Sequence, residues 1–226
     1  MCGIVGAVSR APVNQLLYDG LMLLQHRGQE SAGIVAVDGQ GRARAHRGMG
    51  LVSENFNEAN LSRLPGDVAV GHTRYSTAGS SVIANAQPLL IDYRYGPLTV
   101  AHNGNLTNAP ALRRELVDEG SIFTTTTDTE VLLHLIARSR QATPEGQIRE
   151  ALERCEGAFT LLLSVGRTIY AVVDPRGFRP MVLGRIAGGV IVAALVFGYL
   201  RRLGPFNWTL PQVANTILRN FGLTLF

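Results

Sequence analysis

Only two cysteines, Cys2 and Cys155, occur in the 226 residues. Their scarcity excludes a disulfide framework and a paired-cysteine zinc site. No basic stretch precedes an apolar one at the N-terminus, as a secretory signal would require, so a reducing cytoplasm is expected. Lysine is absent, every one of the 21 basic residues being arginine; this reflects base composition and says little about function. Charge is sparse at 17%, yet hydrophobic residues reach 46%, which excludes a disordered chain. The apolar run from Ile186 to Leu200 is 15 residues long, short of the roughly 20 that span a bilayer. Acid is missing altogether from residues 186–226, which hold Arg201, Arg202 and Arg219 and so carry three of the four net positive charges. The basic balance therefore belongs to a tail, and nothing marks a nucleic-acid face. The length suits one well-cored domain plus a short appendage.

Cysteine is rare but well placed. In Met1-Cys2-Gly3-Ile4-Val5-Gly6, removal of methionine would leave Cys2 as the first residue, carrying a thiol and an α-amine together. With ordinary pKa values of about 8.5 and about 8, the amine can draw the thiol proton near neutrality. One residue would then supply nucleophile and base. Read alone, Cys2 is as well a small buried residue at the head of a strand.

Ile4 to Ser9 reads as a buried strand, followed by a helix that starts near Pro12 and stops at Gly28. Ile34–Asp38 and Arg42–His46 read as a hairpin about Gly39-Gln40-Gly41, and Val68–Thr73 as a strand running into a polar loop, Arg74 to Gly79. Leu98–Ala101 is a further strand leading to His102-Asn103-Gly104-Asn105, where Asn-Gly predicts a tight turn with exposed N–H groups. Helices follow at Ala111–Glu119, from an Asp128 or Thr127 cap to Arg138, and at Pro144–Cys155. Phe159–Ser164 and Ile169–Val173 form an antiparallel pair, and Asp174 to Pro180 a rigid loop before a last strand at Met181–Leu183. Strands, then helices, then strands, without regular βαβ alternation, predict an α+β fold with mainly antiparallel sheets.

Six segments together carry a resemblance: Cys2 to Gly6, Leu24 to Ile34, Gly71 to Gly79, His102 to Asn108, Thr127 to Glu130 and Asp174 to Pro180. In this order they resemble the N-terminal glutaminase domain of the amidophosphoribosyltransferase family, class II (N-terminal-nucleophile) glutamine amidotransferases. The resemblance implies a four-layer αββα sandwich and hydrolysis of the glutamine side-chain amide, with ammonia passed to phosphoribosylamine formation in purine synthesis. It assigns Cys2 as nucleophile, Asn103 and Gly104 as oxyanion donors, Arg74 for the glutamine α-carboxylate and Asp128 for its α-ammonium, with Tyr75, Thr77, Arg27 and Gly28 lining the same pocket. Alone, Arg74 reads as a surface arginine and Asp128 as a helix cap. His26, His72 and His102 are taken as structural, and no metal site is expected.

The resemblance covers residues 1–185. Residues 186–226 depart from it, loosely resembling a fragment of an aspartate-alanine exchanger-type transporter, and no phosphoribosyltransferase domain follows. A chain truncated before its acceptor half is therefore expected, with the tail a fusion, an artefact or an appended helix pair. No cofactor is implied for this chain; magnesium, and an iron–sulfur cluster where the parent carries one, go with the absent domain. The implied partner is glutamine, and a homo-oligomer or a membrane contact of the tail stays open. Two alternatives stand beside this: a glutaminase subunit of another class II enzyme whose acceptor site lies on a separate chain, and an inactive or membrane-attached remnant.

Overall fold

The computed structural model describes residues 1–75, 80–186, 188–193, 207–209 and 223–225. In chain order the elements are β1 (Gly3–Ser9), α1 (Asn14–Leu24), β2 (Ser31–Val37), β3 (Ala43–Met49), α2 (Val52–Asn55), α3 (Glu58–Leu61), β4 (Val68–Arg74), β5 (Leu89–Tyr93) and β6 (Gly96–Leu106). They continue as α4 (Ala109–Asp118), α5 (Thr129–Arg138), α6 (Pro144–Glu153), β7 (Gly157–Val165), β8 (Thr168–Val173), β9 (Val182–Ile186), β10 (Gly189–Ala193), β11 (Asn207–Thr209) and β12 (Leu223–Leu225). A short 3₁₀ turn, Gln25–Arg27, carries α1 to its stop at Gly28.

Two sheets form. The first has the order β11-β9-β10-β1-β4-β2-β3 and the second β12-β8-β7-β6-β5. Among the described residues every pairing is antiparallel except that of β12 with β8. The alternation of side chains sorts the cores. Ile4, Val8, Val68 and Val70 of the first sheet meet Ala101, Leu162, Ile169 and Ala171 of the second in an inter-sheet core. Val5 and Ala7, on the opposite face, pack on Leu17 and Leu21 of α1. Leu98, Val100, Leu161 and Leu163 turn outward onto α4, α5 and α6. The layers are thus helix, sheet, sheet, helix. Because the central strands are covered on both faces, they read as continuous apolar runs, β1 being buried at every position but its last. Leu17 and Leu21 are fully buried, each contributing about 1.5–3 kcal/mol by leaving water.

Two local expectations fail for tertiary reasons. The Asn103-Gly104 pair is not a turn: β6 continues through it to Leu106, with Asn103 opposite Thr160 and Gly104 opposite Phe159 on β7. A full ladder with β7 overrides the turn preference of the dipeptide. Asp128 occupies the N-cap position of α5 but makes no side-chain cap; its carboxylate instead accepts from the Leu106 N–H, at 2.9 Å. Sequence reasoning also missed β5 and the short α2 and α3. Gly189–Ala193, within the departing segment, forms the buried strand β10 between β9 and β1. No helix among the described residues is long and apolar enough to cross a membrane.

Candidate active site

β1 begins at Gly3, opposite Thr73 of β4, so Cys2 falls beside the end of β4, at Arg74 and Tyr75. The Tyr75 N–H donates to Cys2 Sγ at 3.5 Å, and Sγ lies the same distance from the Tyr75 carbonyl oxygen. Extending the alternation of Ile4 and Val8, Cys2 faces the second sheet. On β6 the alternation of Ala101 puts Asn103 on that same inter-sheet face and sends His102 toward α5. Asn103 is 1% exposed, and among the described residues its buried side-chain N–H₂ has no hydrogen-bond partner. Such an orphan donor costs about 1–3 kcal/mol, a strain in the folded state that an incoming acceptor would relieve. At Gly104 a Cβ would lie 2.2 Å from the Ala158 carbonyl oxygen, so β7 approaches too closely for any side chain.

Around the thiol, the other residues singled out in the sequence divide. Arg27, buried, donates from Nε to the Cys2 carbonyl oxygen at 3.1 Å. Gly28 presses on β4, where a Cβ would meet the Arg74 carbonyl carbon at 2.5 Å. Tyr75 contributes its backbone while its ring is exposed. Thr77 lies outside the described residues. Arg74 is 3% exposed, hence no surface arginine; its guanidinium is ion-paired with Glu30 and donates to the Ser80 carbonyl oxygen at 3.3 Å. Glu30 stood inside a quoted segment without a role, and no local pattern pairs residues 44 apart.

Asp128 joins a buried network at the head of α5. His102 Nδ1 stands 3.1 Å from Thr129 Oγ1 and 3.6 Å from Asp128 Oδ1. Gln87 closes the network, accepting from the His102 N–H at 2.9 Å and donating to Thr129 Oγ1 at 3.1 Å. Thr129 stood inside one of the six segments without a role, and Gln87 lay outside them all. His72 Nε2 donates to the His102 carbonyl oxygen at 3.1 Å, tying the two sheets one residue from Asn103. His26 Nδ1 lies 3.0 Å from the Leu23 carbonyl oxygen on the surface, away from this network.

Burial pushes the Cys2 thiol up from its usual value, opposed by the Tyr75 N–H, the terminal amine and Arg74, and assisted by Asp128. The amine, here on Met1, is pulled down by burial; Cys2 raises it, whereas Arg27 and Arg179 lower it. Thiol and amine thus move apart in the sense that keeps both neutral until a proton passes between them. Burial opposes the charge on Asp128, but the His102 ring, the Leu106 N–H and Thr129 outweigh it and hold the carboxyl below the ordinary range. Burial takes His72 down to about 3, so it is neutral. No group of three or more His, Cys, Asp or Glu among the described residues is placed to hold a metal ion.

A family described as a glutamine amidotransferase domain matches residues 72–197. The chain is 49% identical over 193 residues to amidophosphoribosyltransferase 2 of Arabidopsis thaliana, chloroplastic, covering 85% of this chain and 34% of that one. It is 48% identical over 184 residues to an amidophosphoribosyltransferase of Lacticaseibacillus casei, covering 81% of this chain and 94% of that one. The solved glutamine phosphoribosylpyrophosphate amidotransferase of Bacillus subtilis, complexed with ADP and GMP, superposes with a TM-score of 0.80 at 43% identity, over 85% of this chain and 42% of that one. The chain thus spans about a third of the length of the plant relative.

Proposed function

Since this chain belongs to the glutamine amidotransferase family and to its amidophosphoribosyltransferase branch, we propose that it hydrolyses the side-chain amide of glutamine, with Cys2 as nucleophile after removal of Met1. The α-amine of Cys2 takes the thiol proton as sulfur bonds to the amide carbon. The same proton is returned to the leaving nitrogen as the C–N bond breaks, releasing ammonia and a thioester that water converts to glutamate. Asn103 Nδ2 and the Gly104 N–H receive the developing oxyanion, Arg74 the α-carboxylate and Asp128 the α-ammonium, with Tyr75, Thr77, Arg27 and Gly28 lining the pocket. The observation that carries this is the buried Asn103 N–H₂, without a partner among the described residues and on the same inter-sheet face as Cys2. A buried donor left unsatisfied in the resting protein is what preorganised oxyanion stabilisation looks like before substrate arrives.

By analogy with the relatives, the ammonia serves phosphoribosylamine formation at a transferase domain beyond the span matched here. Magnesium, and any iron–sulfur cluster, would belong to that domain. Its setting would be the reducing cytoplasm, consistent with two free cysteines. The test is glutamate release by the purified chain with Met1 removed. Activity is expected, lost on Cys2→Ala; glutamate release that survives Cys2→Ala would sink the mechanism.

A further inference from the structure

The Asp174–Pro180 loop has so far no part in the chemistry. Its shape is set internally: the Asp174 carboxylate accepts from the N–H groups of Arg176 at 3.0 Å, Phe178 at 3.1 Å and Phe159 at 3.3 Å, and Gly177 takes a positive φ of 64°. Thr160 Oγ1 then donates to the Arg179 carbonyl oxygen at 2.9 Å, and Thr160 is the residue opposite Asn103. Held in this way, Arg179 extends its guanidinium to Met1 Sδ. Arg27, 7% exposed, bonds the Cys2 carbonyl oxygen and comes within 4.0 Å of the same sulfur. Among the described residues neither guanidinium is in a salt bridge and Arg179 Nε is buried without a partner. Two uncompensated cations therefore converge on the first two residues, against their mutual repulsion.

We propose that Arg27 and Arg179 form a two-guanidinium collar whose positive field keeps the Cys2 amine, once Met1 is removed, in its neutral, proton-accepting form. This rests on the proposed glutamine hydrolysis, in which that amine is the base. A positive field disfavours an ammonium and favours a thiolate, so one arrangement improves base and nucleophile together. The Met1 amine is lowered first by burial, and Arg27 and Arg179 add to it in the same direction. The Cys2 nitrogen lies one residue nearer to Arg27, which already bonds the Cys2 carbonyl. The other charged groups acting on this end are the Cys2 thiol itself, Arg74 from β4 and Asp128 from α5. In the reaction the neutral amine accepts the thiol proton and hands it to the amide nitrogen as the C–N bond breaks and ammonia leaves, ending as it began. The collar makes Arg179 a positioning residue for charge and not a group that touches substrate.

The experiment uses the full chain, with Met1 removal confirmed by intact mass, and follows kcat/KM for glutamine hydrolysis between about pH 5.5 and 9. A protonated amine is inactive, so the acid limb reports its titration. In Arg179→Met the limb is expected to rise by roughly half to one pH unit, a three- to tenfold loss below the limb that vanishes above it. Arg179→Lys, which keeps the charge, should follow the wild type. In parallel the amine is titrated directly by NMR in a Cys2→Ala background labelled with ¹³C at residue 2, with and without Arg179→Met. An unmoved limb and midpoint in Arg179→Met, or an Arg179→Lys profile shifted as far as the methionine variant, overturns the collar. If the wild type releases no glutamate, the glutamine reading fails, while the NMR midpoint still decides the collar. Should Arg179→Met not fold, Arg179→Gln takes its place with the same expectations.

Discussion

The two cysteines sit at opposite ends of the chemistry although both are largely withdrawn from water. Cys155, just beyond α6, donates its S–H to the Ala151 carbonyl oxygen at 3.2 Å and packs beside the helix-side core, where burial pushes its thiol up to about 12. Cys2 is pushed up by burial too, but its sulfur receives an N–H from Tyr75 and faces the amine and Arg74, all of which favour the thiolate. Both thiols have a carbonyl within reach, and the Tyr75 N–H with the positive charges beside Cys2 is what favours its anion. Burial alone makes a cysteine inert, and the polarity of its neighbours decides whether it can be activated.

The largest expected effect separates the two thiols outright. Cys2→Ala should lower glutaminase activity by at least about 10⁴-fold, on the scale of losing a nucleophile, whereas Cys155→Ala should leave kcat/KM within about twofold. Equal losses would erase the distinction. Next comes the buried donor on the inter-sheet face that Cys2 shares: Asn103→Ala should reduce kcat by roughly 10²–10³-fold with a much smaller change in KM, and a change confined to KM would remove Asn103 from the oxyanion role. Arg74→Met should act on the other parameter, raising KM for glutamine by about 10–100-fold, the worth of a charge-assisted contact. Steady-state kinetics separates these two. Alkylation by iodoacetamide at pH 7.5 should mark Cys2 at least about tenfold faster than Cys155, read by peptide mass spectrometry.

The smallest effect concerns the cost of the polar region around Cys2. His72 is neutral when folded, its pKa taken down from 6.5 to about 3 by burial. Between those values the unfolded chain binds the extra proton. Stability is therefore intact above about pH 6.5 and falls below it, by at most about 1.4 kcal/mol per pH unit until about pH 3. Denaturant melts at pH 7 and pH 5 should show this difference, and His72→Gln should shrink it; an undiminished difference would place the acid sensitivity elsewhere.

Much of the fold is legible along the chain. Apolar runs bounded by turn residues locate β1, β4, β7 and β8, and the 3.6-residue spacing of Leu17, Leu21 and Leu24 locates α1, because the burial of a face imposes a period on the residues that line it. β5 was not legible, since Leu89–Tyr93 is short and only partly buried beyond its first residue. The candidate site was legible as a set of segments: Cys2, Arg74, Asn103, Gly104 and Asp128, the residues proposed for it, all fall within them.

What those segments do to one another was not. The sequence by itself determined that a cysteine stands where processing can free its amine, and that polar, glycine-bearing segments recur at the ends of strands. Only the tertiary structure decided that Asn103 lies in a ladder and not a turn, that Glu30 holds Arg74, and that a loop 178 residues from Met1 returns a guanidinium to it. Local propensity acts through neighbours three or four positions away, whereas these contacts depend on which strands pair and which faces meet. That pairing is settled by the burial of both sheets together, and no single segment contains it.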